Sequence, residues 1–299
     1  MNTGLKPYNL KANSDVSWLY SEDIRPYIYM RRENLFKDPG SRISGCDWFT
    51  QNPFNNTPIY KDPLKMGDVG FADQILSLET KAFHHSAMPM PRWVFYDCGV
   101  MPGFVCGFAK KTSSLSAQYK SKIGVIDDEL EWTPISLFII IPTVRSGEWV
   151  AHNLCTANAL VEKHEKNYAL GFLTKAFGLW YANVEILCGM TQWHSPAIKL
   201  HSHYGQFEIL TSYTPVHSYA RTLTYRSQVD FGYWPSFFDY DERQMGQGYK
   251  YAGFEVDPNQ DSSLKELQLK IEGGEGPFYL SPSEIRNQKP DSALKVYKV

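Results

Sequence analysis

The sequence of 299 residues predicts an α/β protein. Apolar runs bounded by turn residues, typical of strands, alternate with stretches in which apolar residues recur at helical spacing. Several of the apolar runs come in pairs joined by short turns, which indicates antiparallel hairpins. With 43% hydrophobic and 21% charged residues, the chain has the composition of a globular protein with a sizeable core.

The first 60 residues are polar and weakly periodic, so we expect an irregular N-terminal arm over 1–60. A helix is predicted next, over 67–83, because Phe71, Ile75 and Leu78 repeat at helical spacing and Asp68 stands where it can cap the helix.

Two hairpins are expected in the middle of the chain. Residues 92–98 and 103–110 flank a turn that contains glycine and proline, and 135–144 and 148–155 flank a second short turn. The polar stretch 111–131 between the hairpins is expected to be a loop.

Small residues open the next predicted helix, which covers 165–183. Ala169 and Gly171 at its start would let a ligand approach the backbone closely. The free N–H groups and partial positive charge of a helix N-terminus attract phosphate, and Lys166 adds a full charge. The segment therefore predicts a phosphate-binding helix start, with an ordinary helix start as the alternative.

The order continues with a short strand over 184–190 and a helix over 195–205, which has Ser195 as its candidate N-cap. Two strands, 207–216 and 218–226, complete the regular part. An extension then begins with nine aromatic residues among the 24 that follow Asp230. We expect this segment to be ordered and to pack on the core.

Charge and targeting features exclude several classes of protein. The net charge of −2 includes no basic block, so strong nonspecific binding of nucleic acid is not expected. The N-terminus lacks an apolar leader, and the longest apolar run is far too short to cross a membrane. Five scattered cysteines without a CxxC pair are expected to be reduced core thiols, which favours a cytoplasmic protein with no membrane partner.

The order of these elements resembles that of the GNAT superfamily of acyl-CoA N-acyltransferases, over about residues 60–228. Members carry the motif [Q/R]-x-x-[G/A]-x-[G/A] at a helix start, and residues 166–171, KNYALG, match it with Lys166 in place of Gln or Arg. A second family pattern, N-x-x-A-[I/A]-x-L-Y-x-x-x-G-F, is similar to 194–207, where His201 stands in place of the tyrosine. A third, L-E-x-x-F followed by G-F-A, is similar to 78–83, where one more residue precedes Phe83, and to 107–109.

The resemblance implies a mixed, mostly antiparallel central sheet flanked by helices. The expected organisation is an arm (1–60), a GNAT-like domain (61–228) and an aromatic extension (229–299). The implied activity is transfer of an acyl group, with acetyl the expected one, from acyl-CoA to an amine of unknown class; a homodimer is left open. The residues that the resemblance places at the cofactor are Val161, Lys166, Asn167, Tyr168, Ala169, Leu170, Gly171, Phe172, His194 and Ala197.

Three residues are candidates for proton transfer. His201 should share one helix face with Ala197, Leu200 and Tyr204, where it would point inward as the acid for the thiolate. His152 and Glu162 lie in the segment from which the family often takes its base. Packing roles are the alternatives for all three.

Two further interpretations concern metal binding and the loss of catalysis. The close histidine pairs, His84-His85 and His201-x-His203, lack the spacing of a chelating site on a helix, so no metal is expected. The alternative to an enzyme is a noncatalytic GNAT-like binding or structural protein that has lost its CoA chemistry.

Overall fold

The structure, a computed structural model, describes residues 17–19, 21–40, 58–84, 90–217, 219–229, 248–289 and 292–299. The chain divides into two compact units. The first contains the chain up to Ser146 together with Ala151–Val184, and the second contains Gly147–Val150 and Glu185–Val299. The domain boundaries expected from the sequence, near residues 60 and 228, stay predictions.

The first unit is built on a sheet with strand order β5-β3-β1-β2, in which β4 lies beside β3 and β6 beside β5. β1 and β2 run parallel, whereas β3 is antiparallel to β1, β4 and β5. β6 begins in the second unit and continues in the first. The strands are β1 Ile24–Tyr29, β2 Ile59–Lys61, β3 Phe104–Lys111, β4 Trp132–Pro134, β5 Ser136–Pro142 and β6 Glu148–Thr156.

Four helices belong to the first unit: α1 Val69–Ala82, α2 Arg92–Val100, α3 Ala117–Ile123 and α4 Leu170–Tyr181. α1 contacts β4 and β5, while α2 and α4 both contact β3 and β5. Almost every side chain of α4 is buried, so this helix forms the centre of the core.

The second unit has the antiparallel strand order β10-β12-β11-β8-β9-β7. Its strands are β7 Ile186–Gln192, β8 Phe207–Thr211, β9 Thr222–Gln228, β10 Lys250–Val256, β11 Phe278–Leu280 and β12 Leu294–Lys298. Its helices are α5 Ala197–His201, α6 Asp261–Glu272 and α7 Pro282–Asn287. One apolar cluster joins Trp193 and side chains of β8, β9 and α5 with those of the C-terminal elements, so residues after 248 are part of this unit's core.

The α/β class, the mostly antiparallel sheet and the flanking helices are confirmed. The helices predicted over 67–83 and 165–183 correspond to α1 and α4, and the strands predicted over 103–110 and 184–190 correspond to β3 and β7.

The first predicted hairpin is wrong, because residues 92–98 lie in helix α2. Phe95, Cys98 and Gly99 are buried at helical spacing, and the Phe95 ring stacks on Tyr29 at 5.1 Å between centroids. The aromatic residues that favoured a strand are in part the exposed face of the helix, which carries Trp93.

Residues 111–131 are not a simple loop, because they contain α3. Ser116 caps this helix by accepting a hydrogen bond from the Tyr119 N–H at 3.1 Å, and Gly124 ends it in the left-handed conformation. The expected side-chain cap at Asp68 is also wrong. Its carboxylate instead accepts from Lys61 Nζ and the Asp62 N–H, both at 2.9 Å.

The expected irregular arm contains the buried strand β1. Of the aromatic segment, 231–247 lies outside the described residues, and 248–254 runs into β10. Cys98, Cys106 and Cys155 are buried free thiols as expected, whereas Cys188 is half-buried. Within the described ranges, no helix combines the length and apolar character needed to cross a bilayer.

Candidate functional site

The start of α4 is an unusual piece of backbone. Ala169, immediately before the helix, has φ +58° and ψ +15°, in the left-handed region. A residue with a Cβ atom disfavours this region by about 1–2 kcal/mol. Strain of this kind often marks a functional backbone position.

Side chains from elsewhere in the first unit fix the approach to the helix. Asn158 brackets Asn167, donating through Nδ2 to its carbonyl at 2.7 Å and accepting from its N–H at 3.0 Å. Trp18 Nε1 donates to the Tyr168 carbonyl at 2.9 Å. The loop is therefore held in one conformation by bonds that leave part of its N–H groups unused.

The unused N–H groups belong to the two small residues of the motif. The Leu170 N–H donates to the Asn167 carbonyl at 3.2 Å, and the Leu173 N–H donates to the Ala169 carbonyl at 2.9 Å. The N–H groups of Ala169 and Gly171, in contrast, find no acceptor in the described part of the chain. A left-handed residue followed by a right-handed helical one directs such N–H groups to a common concave side, the geometry of anion-binding nests. We call Ala169 and Gly171 the N–H pair.

The remaining predicted cofactor residues of this segment divide into two groups. Lys166 is exposed and forms no ion pair with any described residue, so its charge is available to a ligand. Leu170 and Phe172 are buried and anchor the helix, Val161 is buried in the preceding turn, and Tyr168 is half-buried.

Two predicted cofactor residues lie in the second unit. His194 is exposed, with Nε2 at 3.3 Å from Arg221 Nη1. Ala197 is half-buried at the start of α5, where its N–H donates to Ser195 Oγ at 3.2 Å.

Glu162 lies in an exposed cluster of charges. It caps the 3₁₀ turn Lys163–Glu165 in a reciprocal arrangement with Glu165. Lys122 Nζ donates to Glu162 at 3.2 Å and to Glu165 at 3.0 Å. The hydrogen bonds from the Glu162 N–H and Lys122 hold the pKa of Glu165 below its usual range. These contacts give Glu162 a structural task in the turn.

His152 is exposed on β6. The protein around its ring nevertheless removes enough water to lower its pKa below the ordinary histidine range. The imidazole is therefore neutral near pH 7 and able to accept a proton.

Glu79 on α1 is a buried carboxylate close to this part of β6. It is 1% exposed and accepts from the Met90 N–H at 3.2 and 3.3 Å and from Asn153 Nδ2 at 3.2 Å. Burial raises its pKa. Its position within the L-E-x-x-F pattern was the available signal. The contacts indicate that it positions β6 next to His152.

His201 is 8% exposed, in the second unit, with its ring centroid 5.6 Å from that of Tyr225. Its inward direction agrees with the expectation, although α5 ends at His201 and Tyr204 lies beyond it. The structure brings the loop residues 166–172 together in one unit and places His201, His194 and Ala197 in the other.

No family model and no curated protein sequence matches the chain. Among solved structures, it is similar to a candidate acyl-CoA N-acyltransferase from Klebsiella pneumoniae, at 12% identity and a TM-score of 0.31 over 55% of this chain and 92% of that one. It is also similar to an aminoglycoside 6'-acetyltransferase type Ii, at 8% identity and a TM-score of 0.37 over 56% of this chain and 95% of that one. Both TM-scores lie below 0.5, so these matches assign neither an activity nor a substrate to the chain.

Proposed function

We propose that the chain is an acyl-CoA-dependent N-acyltransferase that moves an acyl group, with acetyl the expected one, to an amine. The observation that carries this proposal is the N–H pair of Ala169 and Gly171 at the start of α4, which fits the pyrophosphate of CoA. Two unused backbone donors of this kind can bind phosphate oxygens.

Three further features support the fit. The partial positive charge of the α4 N-terminus lies at the N–H pair, and the exposed Lys166 adds a full charge. The bonds from Asn158 and Trp18 hold the loop in one conformation, which lowers the entropic cost of binding a ligand there.

Amine acylation forms an N–C bond and breaks a C–S bond, so a base must accept the amine proton and an acid must protonate the leaving thiolate. His152, which is neutral near pH 7, is the candidate base in the first unit, and His201 stays the candidate acid that the resemblance implies. Glu162 is the weakest of the three candidates because its carboxylate already caps a turn and binds Lys122.

Titration calorimetry with CoA, acetyl-CoA and pantetheine tests the cofactor assignment. The proposal expects binding of both CoA species and weaker binding of pantetheine, which has no pyrophosphate. Gly171→Trp should abolish binding by filling the concave side. Lys166→Gln should weaken it about threefold to tenfold, more at low than at high salt, whereas the matched control Lys163→Gln should leave it unchanged.

Absence of heat with several acyl-CoAs would contradict the cofactor assignment. CoA binding that depends on Gly171, without acyl transfer to any of a panel of amines, would instead favour the noncatalytic alternative.

A further inference from the structure

A cavity in the first unit contains none of the residues assigned above. Its volume is about 340 Å³, near the lower end for small-molecule sites. The lining comes from β1, β2, α1 and the segment that enters β4: Arg25, Pro58, Ile59, Lys61, Phe71, Leu130, Glu131 and Trp132. Two aromatic rings and three aliphatic side chains make most of this wall apolar.

Arg25 brings a positive charge to the cavity that the described chain leaves uncompensated. Its guanidinium carbon lies 5.1 Å from the centroid of the Trp132 ring, a cation–π contact that orients the planar group. Nε is buried without a hydrogen-bond partner, and no described carboxylate lies within 4.0 Å of the guanidinium. A buried unpaired donor costs free energy, and no protein group compensates this guanidinium in the described chain.

The other cations near the cavity already have partners. Lys61 Nζ lies 2.9 Å from Asp68 Oδ1 and 5.5 Å from the Phe71 ring centroid. Lys111, which approaches Trp132 from 5.9 Å, pairs with Asp23 at 3.8 Å. Arg25 is therefore the available anchor for an anion.

Glu131 lines the same cavity with a negative charge. Its side chain is exposed, and no described cation lies within 4.0 Å of its carboxylate, Arg25 included. Arg25 and Glu131 thus bring opposite charges to one cavity, and they are too far apart to pair with each other. A ligand that carries both a negative and a positive charge would match them.

We propose that this cavity binds a small zwitterion with an apolar body, of the chemical class of an aromatic or aliphatic α-amino acid. The carboxylate binds the Arg25 guanidinium through its fork of N–H donors, and the ammonium binds Glu131. The apolar body packs between Trp132 and Phe71. This proposal does not depend on the acyltransferase assignment.

Three probes with the same phenyl body separate the two charges. L-phenylalanine carries both, 3-phenylpropionate lacks the ammonium and phenethylamine lacks the carboxylate. Calorimetry on the full chain should show the highest affinity for L-phenylalanine, a lower one for 3-phenylpropionate and the lowest for phenethylamine. A cavity that is merely apolar would instead bind all three alike.

Variants of each charged residue complete the test. Arg25→Gln should weaken the binding of L-phenylalanine at least tenfold. Arg25→Lys keeps the charge but loses the paired N–H donors of the guanidinium, and should weaken this binding several-fold. Glu131→Gln should weaken the binding of L-phenylalanine, because the partner of its ammonium is lost. The same change should strengthen the binding of 3-phenylpropionate, because a charge that repels its carboxylate is removed. The matched controls Arg32→Gln and Glu129→Gln, at exposed residues outside the cavity, should change neither.

The outcomes are decisive in both directions. Failure of L-phenylalanine to bind at millimolar concentration, or equal binding to wild type and Arg25→Lys, would overturn the proposal. Gly171→Trp should leave L-phenylalanine binding intact, so loss of CoA binding and loss of zwitterion binding are separable results.

Discussion

Ala169 holds a backbone conformation that glycine adopts far more readily. Removing its Cβ should relieve about 1–2 kcal/mol of left-handed strain, partly offset by the greater freedom of glycine in the unfolded chain. We therefore expect Ala169→Gly to stabilise the fold by about 0.5–1 kcal/mol, as measured by the urea midpoint. Ala176→Gly, in the buried middle of α4, should destabilise it by about 1 kcal/mol or more. Equal effects of both changes would mean that Ala169 is unstrained.

The two histidines predict opposite limbs of a pH profile. His152 must be neutral to accept a proton, so the rate should rise with pH as this imidazole loses its proton. Because its pKa is lowered, this rise should be complete below the ordinary histidine value of about 6.5. His201 must be protonated to donate, so the rate should fall as the pH rises and its imidazole loses the proton. His152→Gln should remove the acid limb, and His201→Tyr should move or abolish the alkaline one.

His201→Ala should lower turnover about 10²-fold or more if it is the acid, while CoA affinity stays nearly unchanged. The exposed His164→Ala serves as control. A folded His201→Ala protein with turnover within about threefold of wild type would remove His201 from the chemistry and leave it as a packing partner of Tyr225.

At the scale of elements, the packing of α4 on β3 and β5 depends on Gly178. A Cβ at this position would lie 2.7 Å from Phe138 Cδ1 and 2.8 Å from Cys106 Sγ. A glycine-to-alanine change inside a helix normally stabilises the fold by about 1 kcal/mol. Gly178→Ala should instead destabilise it by about 1–3 kcal/mol, because the added methyl group overpacks the core. Gly67→Ala, with nothing within 4 Å of its Cβ, should be nearly neutral in the same denaturation experiment.

Elements with clear local signals could be predicted from the sequence. α1 shows helical spacing, and β5 is an unbroken apolar run bounded by turn residues. α3 also has local signals, since Ser116 and Gly124 are ordinary cap residues, but its polar surface favours a loop in the sequence pattern. α2 was missed for a different reason. Its aromatic content favours a strand locally, and tertiary stacking of Phe95 on Tyr29 decides the conformation.

The candidate site was predictable only in part. The small residues of 166–171 indicated a phosphate-binding helix start, but the left-handed φ of Ala169 and the bracket formed by Asn158 depend on packing that no local pattern encodes. No sequence pattern indicates that Arg25 and Glu131, far apart along the chain, line one cavity.

At the scale of the whole molecule, the C-terminal residues complete the core of the second unit. Phe278 is fully buried on β11, opposite Ile209 of β8 and 5.5 Å from the Phe254 ring. Phe278→Ala should therefore cost about 3–5 kcal/mol of unfolding free energy. Leu269→Ala, at a side chain that is 67% exposed, should cost far less. Similar losses from both would contradict a core shared by the C-terminal strands with β8 and β9.

The central claim is that the N–H pair at the start of α4 binds the pyrophosphate of CoA. The most direct measurement is the amide NMR signal of Gly171, assigned in protein labelled with ¹⁵N-glycine, during titration with CoA and then with pantetheine. We predict that CoA shifts the Gly171 signal strongly and downfield, as expected for a new hydrogen bond. Pantetheine should not shift it, and the signals of Gly67 and Gly273 should stay in place with either ligand. A Gly171 signal that remains unmoved by saturating CoA would contradict it.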